Sequence, residues 1–286
     1  YTSTIKDFLD RSQPSENYEI GDFFRVSGSR FAHQDLVLKW LNKLEGVFSN
    51  APVDNGYLQH TFWLLSGVKE CIAMQKILQS HPFFSDFNII LAAGRAESYK
   101  CEKTLARIRS AIGTRPLQTK TITLSCGQLT TGITIPEWTA VFMLYSSTNL
   151  NRLSVAQYLQ AIFRAQGPWL SQTFQKEECI VFDFAPDRAL KVILEYALNL
   201  CNANHQVDDA QAVKNLLRYL SVYLLSQQKV KQLSAQEVIE VPRKVIAQEI
   251  VDGAFISSNK LFNFTNLSHM SESAREIISK FSAAPK

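Results

Sequence analysis

The stretch TFWLLSGVKECIAMQKILQ, residues 61–79, joins a strand-length apolar run to an amphipathic segment. The run at 61–65 is apolar or β-branched throughout, as expected of a strand buried on both faces of a parallel sheet. The segment at 68–79 has the apolar spacing of a helix. This alternation predicts an α/β fold with a five-stranded parallel sheet flanked by helices. The remaining predicted strands lie at 87–92, 121–126, 140–145 and 179–184, and further helix-like segments lie at 102–112 and 155–166.

The segments on either side of this alternation have helical patterns. Residues 1–56 form a predicted lead-in helical segment, with a helix at 31–44 and a boundary at SNAPVDNG, residues 49–56. The predicted sheet domain covers 57–186. Residues 187–286 keep the 3.6-residue apolar spacing, so we predict an all-helical C-terminal extension. Two pairs in it fit capping boxes, Ser234 with Glu237 and Ser273 with Glu276.

The composition is that of an ordinary globular protein, with 46% hydrophobic and 20% charged residues in 286. The formal net charge of +4 is compatible with phosphate-rich partners but too small to imply them. The five cysteines include no CxxC pair, which favours free thiols in a reducing, cytoplasmic compartment. No apolar run reaches the roughly 18 residues of a membrane span, and no signal peptide is visible. Because the chain starts at Tyr1 rather than Met, we expect a piece of a longer protein.

The connection LSCGQLTTGITIPEWTAVFML, residues 124–144, is unusually rich in glycine and hydroxyl side chains. It leaves the carboxyl end of a predicted parallel strand, where open α/β sheets bind their ligands. Gly127 and Gly132 allow close backbone approach, and Ser125, Thr130 and Thr131 offer hydroxyls to phosphate oxygens. A connection rich in Gly and Thr only for turn geometry is the alternative, and it stays open at this point.

The segment SVAQYLQAIFRAQ, residues 154–166, has an apolar face and an opposite polar stripe. Gln157, Gln160 and Arg164 share this stripe, and Gln157 also fits a capping box with Ser154. A helix that starts one strand after GQLTTG (residues 127–132), which we call the Gly/Thr loop, would place the Arg164 guanidinium near that loop. Such an arrangement suits a triphosphate.

The order strand, GQLTTGITIPEW, strand, YLQAIFRAQ helix, strand resembles motifs V and VI of superfamily 2 helicases, in their second RecA-like domain. More narrowly it resembles the motor of type I restriction enzymes and their single-chain relatives, in which TTG(V/I)T(V/I)PEW and QA(I/F)FRAQ(S/G)P are the usual forms. The flanking sequences of this chain are also similar to those of the same group of enzymes. The matching flanks are DFFRVSGSRFAHQDLVLKWL, LLSGVKECIAMQKILQSHPFFSDFNIILAAG, ECIVFDFAPDRAL and VIEVPRKVIAQEIVDGAFISSNKLF.

The resemblance implies the C-terminal motor half of an ATP-dependent DNA translocase, part of a bacterial restriction enzyme of the type I-like deoxyribonuclease class. It implies nucleic-acid contacts from the motif IV and V positions Ser66, Val68, Ser125, Cys126, Thr130 and Thr131. It implies nucleotide contacts from Gly132, Thr134, Gln160 and Arg164, with catalytic roles for Gln160 and Arg164. Two positions depart from the family: Thr134 stands where most motifs V have aspartate, and Gly167 stands where motif VI has a second arginine.

The chain has no GxxxxGK[ST] phosphate loop and no DExH metal box. We therefore expect ATP and Mg²⁺ to be held mainly by a preceding RecA-like domain, and the fragment alone to be inactive. No PD…(D/E)xK nuclease or NPPY methyltransferase motif is present either. The implied partners are the backbone of double-stranded DNA, that preceding domain, and methyltransferase or specificity modules, with no membrane. A stand-alone α/β module for an anion or nucleotide, and an RNA helicase or remodelling domain, are the alternatives.

The histidines and tryptophans are interpreted as structural. The five histidines are scattered, which does not favour a metal or catalytic role. Trp63, Trp138 and Trp169 are predicted to pack in the core rather than to stack on bases, with Trp138 the strongest candidate for a site role because it follows the Gly/Thr loop.

Overall fold

The protein forms one eight-stranded sheet with helices packed on it. The structure, a computed structural model, describes residues 1–3, 5–9, 18–50, 58–94, 101–127, 133–145, 155–171, 174–202, 208–226 and 229–240. The strands of the sheet run in the order β10-β9-β1-β8-β7-β4-β6-β5, and β2 and β3 form a separate hairpin. The strands are β1 Thr2–Ser3, β2 Val26–Ser27, β3 Arg30–Phe31, β4 His60–Leu65, β5 Asn88–Ala92, β6 Thr121–Ser125, β7 Ala140–Leu144, β8 Ile180–Asp183, β9 Tyr223–Ser226 and β10 Lys229–Gln232.

Some of the helices connect central strands, and the others precede or follow these strands in the chain. They are α1 Ile5–Leu9, α2 Ile20–Phe23, α3 Gln34–Asn50, α4 Val68–Ser80, α5 Cys101–Ile112, α6 Val155–Ile162, α7 Pro186–Asn202 and α8 Asp209–Leu217. Within the described ranges, 3₁₀ turns lie at Phe84–Asp86, Pro116–Gln118 and Phe163–Gln166, and residues 235–240 are helical. No helix among the described residues is both long enough and apolar enough to span a membrane.

The five strands predicted from the sequence are confirmed as β4 to β8, which are contiguous and parallel. Their side chains alternate between two buried clusters, as a pleated strand requires. In β4, for example, Trp63 and Leu65 face the cluster beneath α3 and α4, whereas Phe62 and Leu64 face the cluster beneath α5 and α6. Burial on both faces explains why these runs are continuously apolar.

The prediction of an all-helical extension after residue 186 is wrong in one part. The hairpin of β9 and β10 lies in this region and joins the main sheet, with Tyr223 opposite Gln232. β9 also pairs in parallel with β1, so segments from residues 2–3 and 223–226 are neighbours in the sheet. The apolar sequence RYLSVYLL has helical spacing, but α8 ends at Leu217 and the residues from Tyr223 form a strand. The capping box of Ser234 with Glu237 is confirmed by two hydrogen bonds. The Ser234 amide donates to the Glu237 carboxylate at 3.0 Å, and the Glu237 amide donates to the Ser234 hydroxyl at 3.4 Å.

The lead-in segment is not purely helical either, because it contains β1 and the β2–β3 hairpin. Phe31, predicted to start a helix, ends the hairpin, and α3 begins at Gln34. Trp40 on α3 packs edge-on against Trp63 of the sheet at 6.0 Å and against Phe184 at 5.4 Å. The lead-in therefore shares the core of the sheet. The division of the chain at residues 56 and 186 stays a prediction.

His60 is a buried structural histidine, which matches the interpretation from the sequence. Its Nε2 lies 2.9 Å from the carbonyl oxygen of Pro116, which only accepts hydrogen bonds, so Nε2 carries the proton. Its Nδ1 then accepts from the Thr121 hydroxyl at 2.9 Å. Both ring nitrogens are thus satisfied in the neutral form. Burial lowers the pKa of His60 from 6.5 to about 4.

This lowered pKa predicts acid destabilisation of the fold. Above pH 6.5 the imidazole is neutral in both states and has no effect. As the pH falls from 6.5 toward 4, the unfolded chain binds a proton that the folded chain does not, so stability falls by about 3 kcal/mol at ~1.4 kcal/mol per pH unit. We expect urea unfolding to show this extra loss between pH 7 and pH 4 in the wild type but not in His60→Gln. Equal pH profiles for the two proteins would contradict the assignment.

Candidate functional site

Residues 133–139 follow the Gly/Thr loop, and we call them the return segment. It links β6 to β7, and these strands lie on opposite sides of β4 in the sheet. Ile133, Ile135 and Trp138 are buried in the same cluster as α5 and α6. The Trp138 ring stacks on Phe62 of β4 at 4.7 Å, which makes it a core residue. The return segment therefore covers the sheet at a place where a crossover helix would otherwise lie.

The amphipathic pattern of α6 is confirmed by its burial. Tyr158, Leu159 and Ile162 are buried, whereas Gln157 and Gln160 are exposed. The helix ends at Ile162, and the residues Phe163–Gln166, predicted to be helical, form a 3₁₀ turn. We call this the 3₁₀ turn of α6. It carries Arg164.

Arg164 contacts the residue that follows the Gly/Thr loop. Its guanidinium donates a hydrogen bond to the carbonyl oxygen of Ile133, the first described residue after the loop. The side chain is half-buried, and burial lowers its pKa. The structure thus places this guanidinium beside Ile133, whereas its predicted proximity to Thr130 and Thr131 stays a prediction, because those residues lie outside the described ones. Its catalytic role, and that of the exposed Gln160, stay predictions.

Lys176 binds the same two segments, and sequence reasoning missed it. Its Nζ donates to the carbonyl oxygens of Pro136 at 2.6 Å, Trp138 at 3.1 Å and Ala165 at 2.8 Å. An ammonium group has three N–H donors, so these three acceptors satisfy it completely. Burial lowers the pKa of Lys176. No local sequence signal marks this lysine, because its acceptors lie 11 to 40 residues away.

Thr134 and Gly167, where the sequence departs from the motifs it resembles, lie against each other. A Cβ atom added to Gly167 would lie 3.1 Å from the Thr134 Cγ2 and 3.5 Å from the Pro136 Cα. A side chain at position 167 would therefore need the Thr134 side chain to shift by a few tenths of an ångström.

The candidate nucleic-acid contacts are only partly brought together. Ser66 and Val68 are exposed; Ser66 follows the end of β4, and Val68 is the first residue of α4. Ser125 ends β6 and is fully buried, so it does not face solvent in this structure. Cys126 is half-buried and accepts a hydrogen bond from the Cys71 thiol, which raises the pKa of Cys71 and lowers that of Cys126. Thr130, Thr131 and Gly132 lie outside the described residues.

A buried charge network joins α6 and α7 to the carboxyl ends of β7 and β8. Asp183 accepts from two nitrogens of Arg188, from the Tyr158 hydroxyl at 2.7 Å and from the Ala185 amide at 2.9 Å. Arg188 also donates to the carbonyl oxygen of Tyr145 at 2.6 Å. Its guanidinium lies 4.1 Å from the centre of the Tyr145 ring. Asp183 and Arg188 are 2% and 1% exposed, so the pair is shielded from water.

No group of three or more His, Cys, Asp or Glu side chains suited to a metal ion occurs within the described ranges.

The chain is similar to a protein of Mycoplasma pneumoniae described as "Putative type II restriction enzyme and methyltransferase RM.MpnORF110P C-terminus". The two are 29% identical over 209 residues, which are 68% of this chain and 28% of that protein. The chain thus spans less than a third of the relative. No family model matches. The similarity relates this chain to a restriction–modification protein.

Proposed function

We propose that this chain is the second RecA-like domain, with its extension, of an ATP-dependent DNA translocase within a bacterial restriction–modification protein. One observation carries the proposal: Arg164, on the turn that follows α6, donates a hydrogen bond to the carbonyl oxygen of Ile133, which follows the Gly/Thr loop. The segments whose sequences resemble motifs V and VI are about 30 residues apart in the chain, and this hydrogen bond joins them. The relative's description as a restriction enzyme and methyltransferase supports the setting.

The chain's own residues fit one side of an ATP cleft. Gln160 is exposed on α6, and Arg164 is half-buried one turn further on, held by the Ile133 carbonyl group. A guanidinium in this partly desolvated position interacts strongly with developing phosphate charge. ATP with Mg²⁺, bound mainly by a preceding domain, supplies the phosphoryl group and the metal. The proposed role of this chain is to orient Gln160 and Arg164 and to hold them next to the Gly/Thr loop.

The DNA contact in this proposal is directed at the backbone. Ser66 and Val68 present a hydroxyl and a backbone amide at the start of α4, and a helix start favours phosphate. Contacts of this kind carry no base information. Binding is therefore expected to be independent of DNA sequence and to weaken steeply as salt is added.

The test uses the full-length protein that contains this chain. We expect it to hydrolyse ATP in the presence of double-stranded DNA of any sequence, and the rate to fall when the DNA is replaced by RNA. The 286-residue chain alone is expected to bind nucleotide feebly, because it has no phosphate loop. Steady-state ATPase assays and calorimetric titration of the isolated chain with ATP measure the two quantities.

Two outcomes favour the alternatives. Micromolar nucleotide binding by the isolated chain would identify a stand-alone binding module. Stimulation of ATP hydrolysis by RNA but not by DNA would identify an RNA helicase or remodelling factor. Full-length protein with no polynucleotide-dependent ATPase at all would overturn the motor assignment.

A further inference from the structure

Lys176 lies where three pieces of backbone meet. It belongs to a short hairpin in which Leu170 bridges Gln175, and its own amide donates to the Trp169 carbonyl oxygen at 2.9 Å. The Trp169 ring packs on Phe174 at 4.5 Å and near His60 of β4 at 6.1 Å. The hairpin is thereby anchored to the sheet, and the direction of the Lys176 side chain is set.

The acceptors of Lys176 come from two segments with no covalent connection nearby. Pro136 and Trp138 belong to the return segment, and Ala165 follows Arg164 in the 3₁₀ turn of α6. One ammonium group therefore bridges the two segments. All three donors are occupied, so this lysine has no N–H left for a phosphate.

Arg164 bridges the same two segments from the other direction, through the Ile133 carbonyl oxygen. The packing of Gly167 against Thr134 and Pro136 closes the junction further, because no side chain stands between them. Lys176 supplies three of the polar contacts that hold this junction together. Losing it leaves three carbonyl groups without this donor and the 3₁₀ turn free to shift.

We propose that Lys176 is a positioning residue that fixes the 3₁₀ turn of α6 against the return segment and so sets where Arg164 stands. This inference rests on the proposed function, because its consequence is a rate of ATP hydrolysis. Lys176 acts through Arg164 and does not contact the nucleotide. A misplacement of about 1 Å in a reacting constellation can cost on the order of 10²-fold in rate.

The experiment replaces Lys176 with Met in the full-length protein, which keeps much of the length and removes the charge and donors. We expect kcat for DNA-stimulated ATP hydrolysis to fall by about 10- to 100-fold, with KM for ATP changed less than about threefold. The matched control is Lys191→Met, since Lys191 lies on the exposed side of α7. Alkylation of Lys176→Cys with 2-bromoethylamine rebuilds a lysine-like side chain and is expected to restore kcat; wild-type protein treated in the same way controls for other thiols.

Hydrogen exchange gives a second measurement that does not depend on activity. In Lys176→Met we expect faster exchange of the amides at 133–139 and 163–167, and unchanged exchange in β4 to β6. Lys176→Gln, which keeps two donors, serves if the Met variant does not fold. Unchanged kcat and unchanged exchange would overturn the inference while leaving the wild-type ATPase, and hence the proposed function, intact. A wild type without ATPase overturns the proposed function, and exchange alone then decides whether Lys176 fixes the junction.

Discussion

Replacing Arg164 with Ala in the full-length protein is expected to lower DNA-stimulated ATP hydrolysis by about 10³-fold or more. An arginine that meets the transition-state charge of phosphoryl transfer is typically worth 10³–10⁵-fold in kcat. The expected effect falls on one residue, because Gly167 stands where the motif VI that the sequence resembles has a second arginine. Binding of ATP is expected to change little, since its phosphates would be held by the preceding domain.

The measurement is kcat and KM for ATP with saturating DNA, together with translocation along the duplex. Arg164→Lys is expected to recover only part of the rate, because an ammonium cannot reproduce the planar fork of a guanidinium. Arg109→Ala is the matched control, since Arg109 is exposed on α5. Thermal midpoints of all variants check that loss of the Ile133 contact has not unfolded the protein. Wild-type ATPase and translocation in Arg164→Ala would refute the catalytic role.

Replacing Asp183 with Ala is expected to destabilise the 286-residue chain by about 3–5 kcal/mol, the typical effect of removing one partner of a buried ion pair. The substitution leaves the Arg188 guanidinium buried and without its carboxylate, and it removes the acceptor of the Tyr158 hydroxyl. The main cause of the expected destabilisation is the desolvation of the unpaired Arg188 guanidinium. Because Tyr158 belongs to α6, the loss should also loosen the helix that presents Gln160.

Denaturant unfolding measures the effect as a lower midpoint. Asp86→Ala is the control, since Asp86 is exposed, and it should change stability by less than about 0.5 kcal/mol. The double variant Asp183→Leu with Arg188→Met removes both charges and is expected to recover a large part of the loss. A single variant within about 1 kcal/mol of the wild type would show that water reaches Arg188.

Much of the central sheet was predictable from sequence because its signals are local. Each strand from β4 to β8 is a continuous apolar run, and the predicted ends differ from the observed ends by one residue at most. The apolar face of α6 and the Ser234–Glu237 capping box depend on residues three or four apart. Such patterns fix local conformation before any distant segment is considered.

One error occurred where sheet pairing, in part with a distant strand, overrides a local pattern. The sequence that ends in β9 has helical spacing, yet its strand is stabilised by pairing with β1, more than 200 residues earlier in the chain. β1 itself is two residues long and carries no strand signal. Main-chain hydrogen bonds form between any two adjacent strands and do not require particular side chains. The pairing partner of a strand is therefore hard to predict from its sequence.

The α/β class, the five central strands and the amphipathic helix that bears Gln160 and Arg164 follow from the sequence, because each depends on the periodicity of neighbouring residues. Tertiary packing is needed to bring Lys176 onto the return segment and the 3₁₀ turn of α6, to pack Gly167 on Thr134, and to pair Arg188 with Asp183 next to Tyr145. The first two join segments tens of residues apart, and the third assembles partners from β7, β8 and α7. A buried polar group takes as its partner whichever acceptor packing brings within hydrogen-bonding distance, and local sequence does not encode that distance.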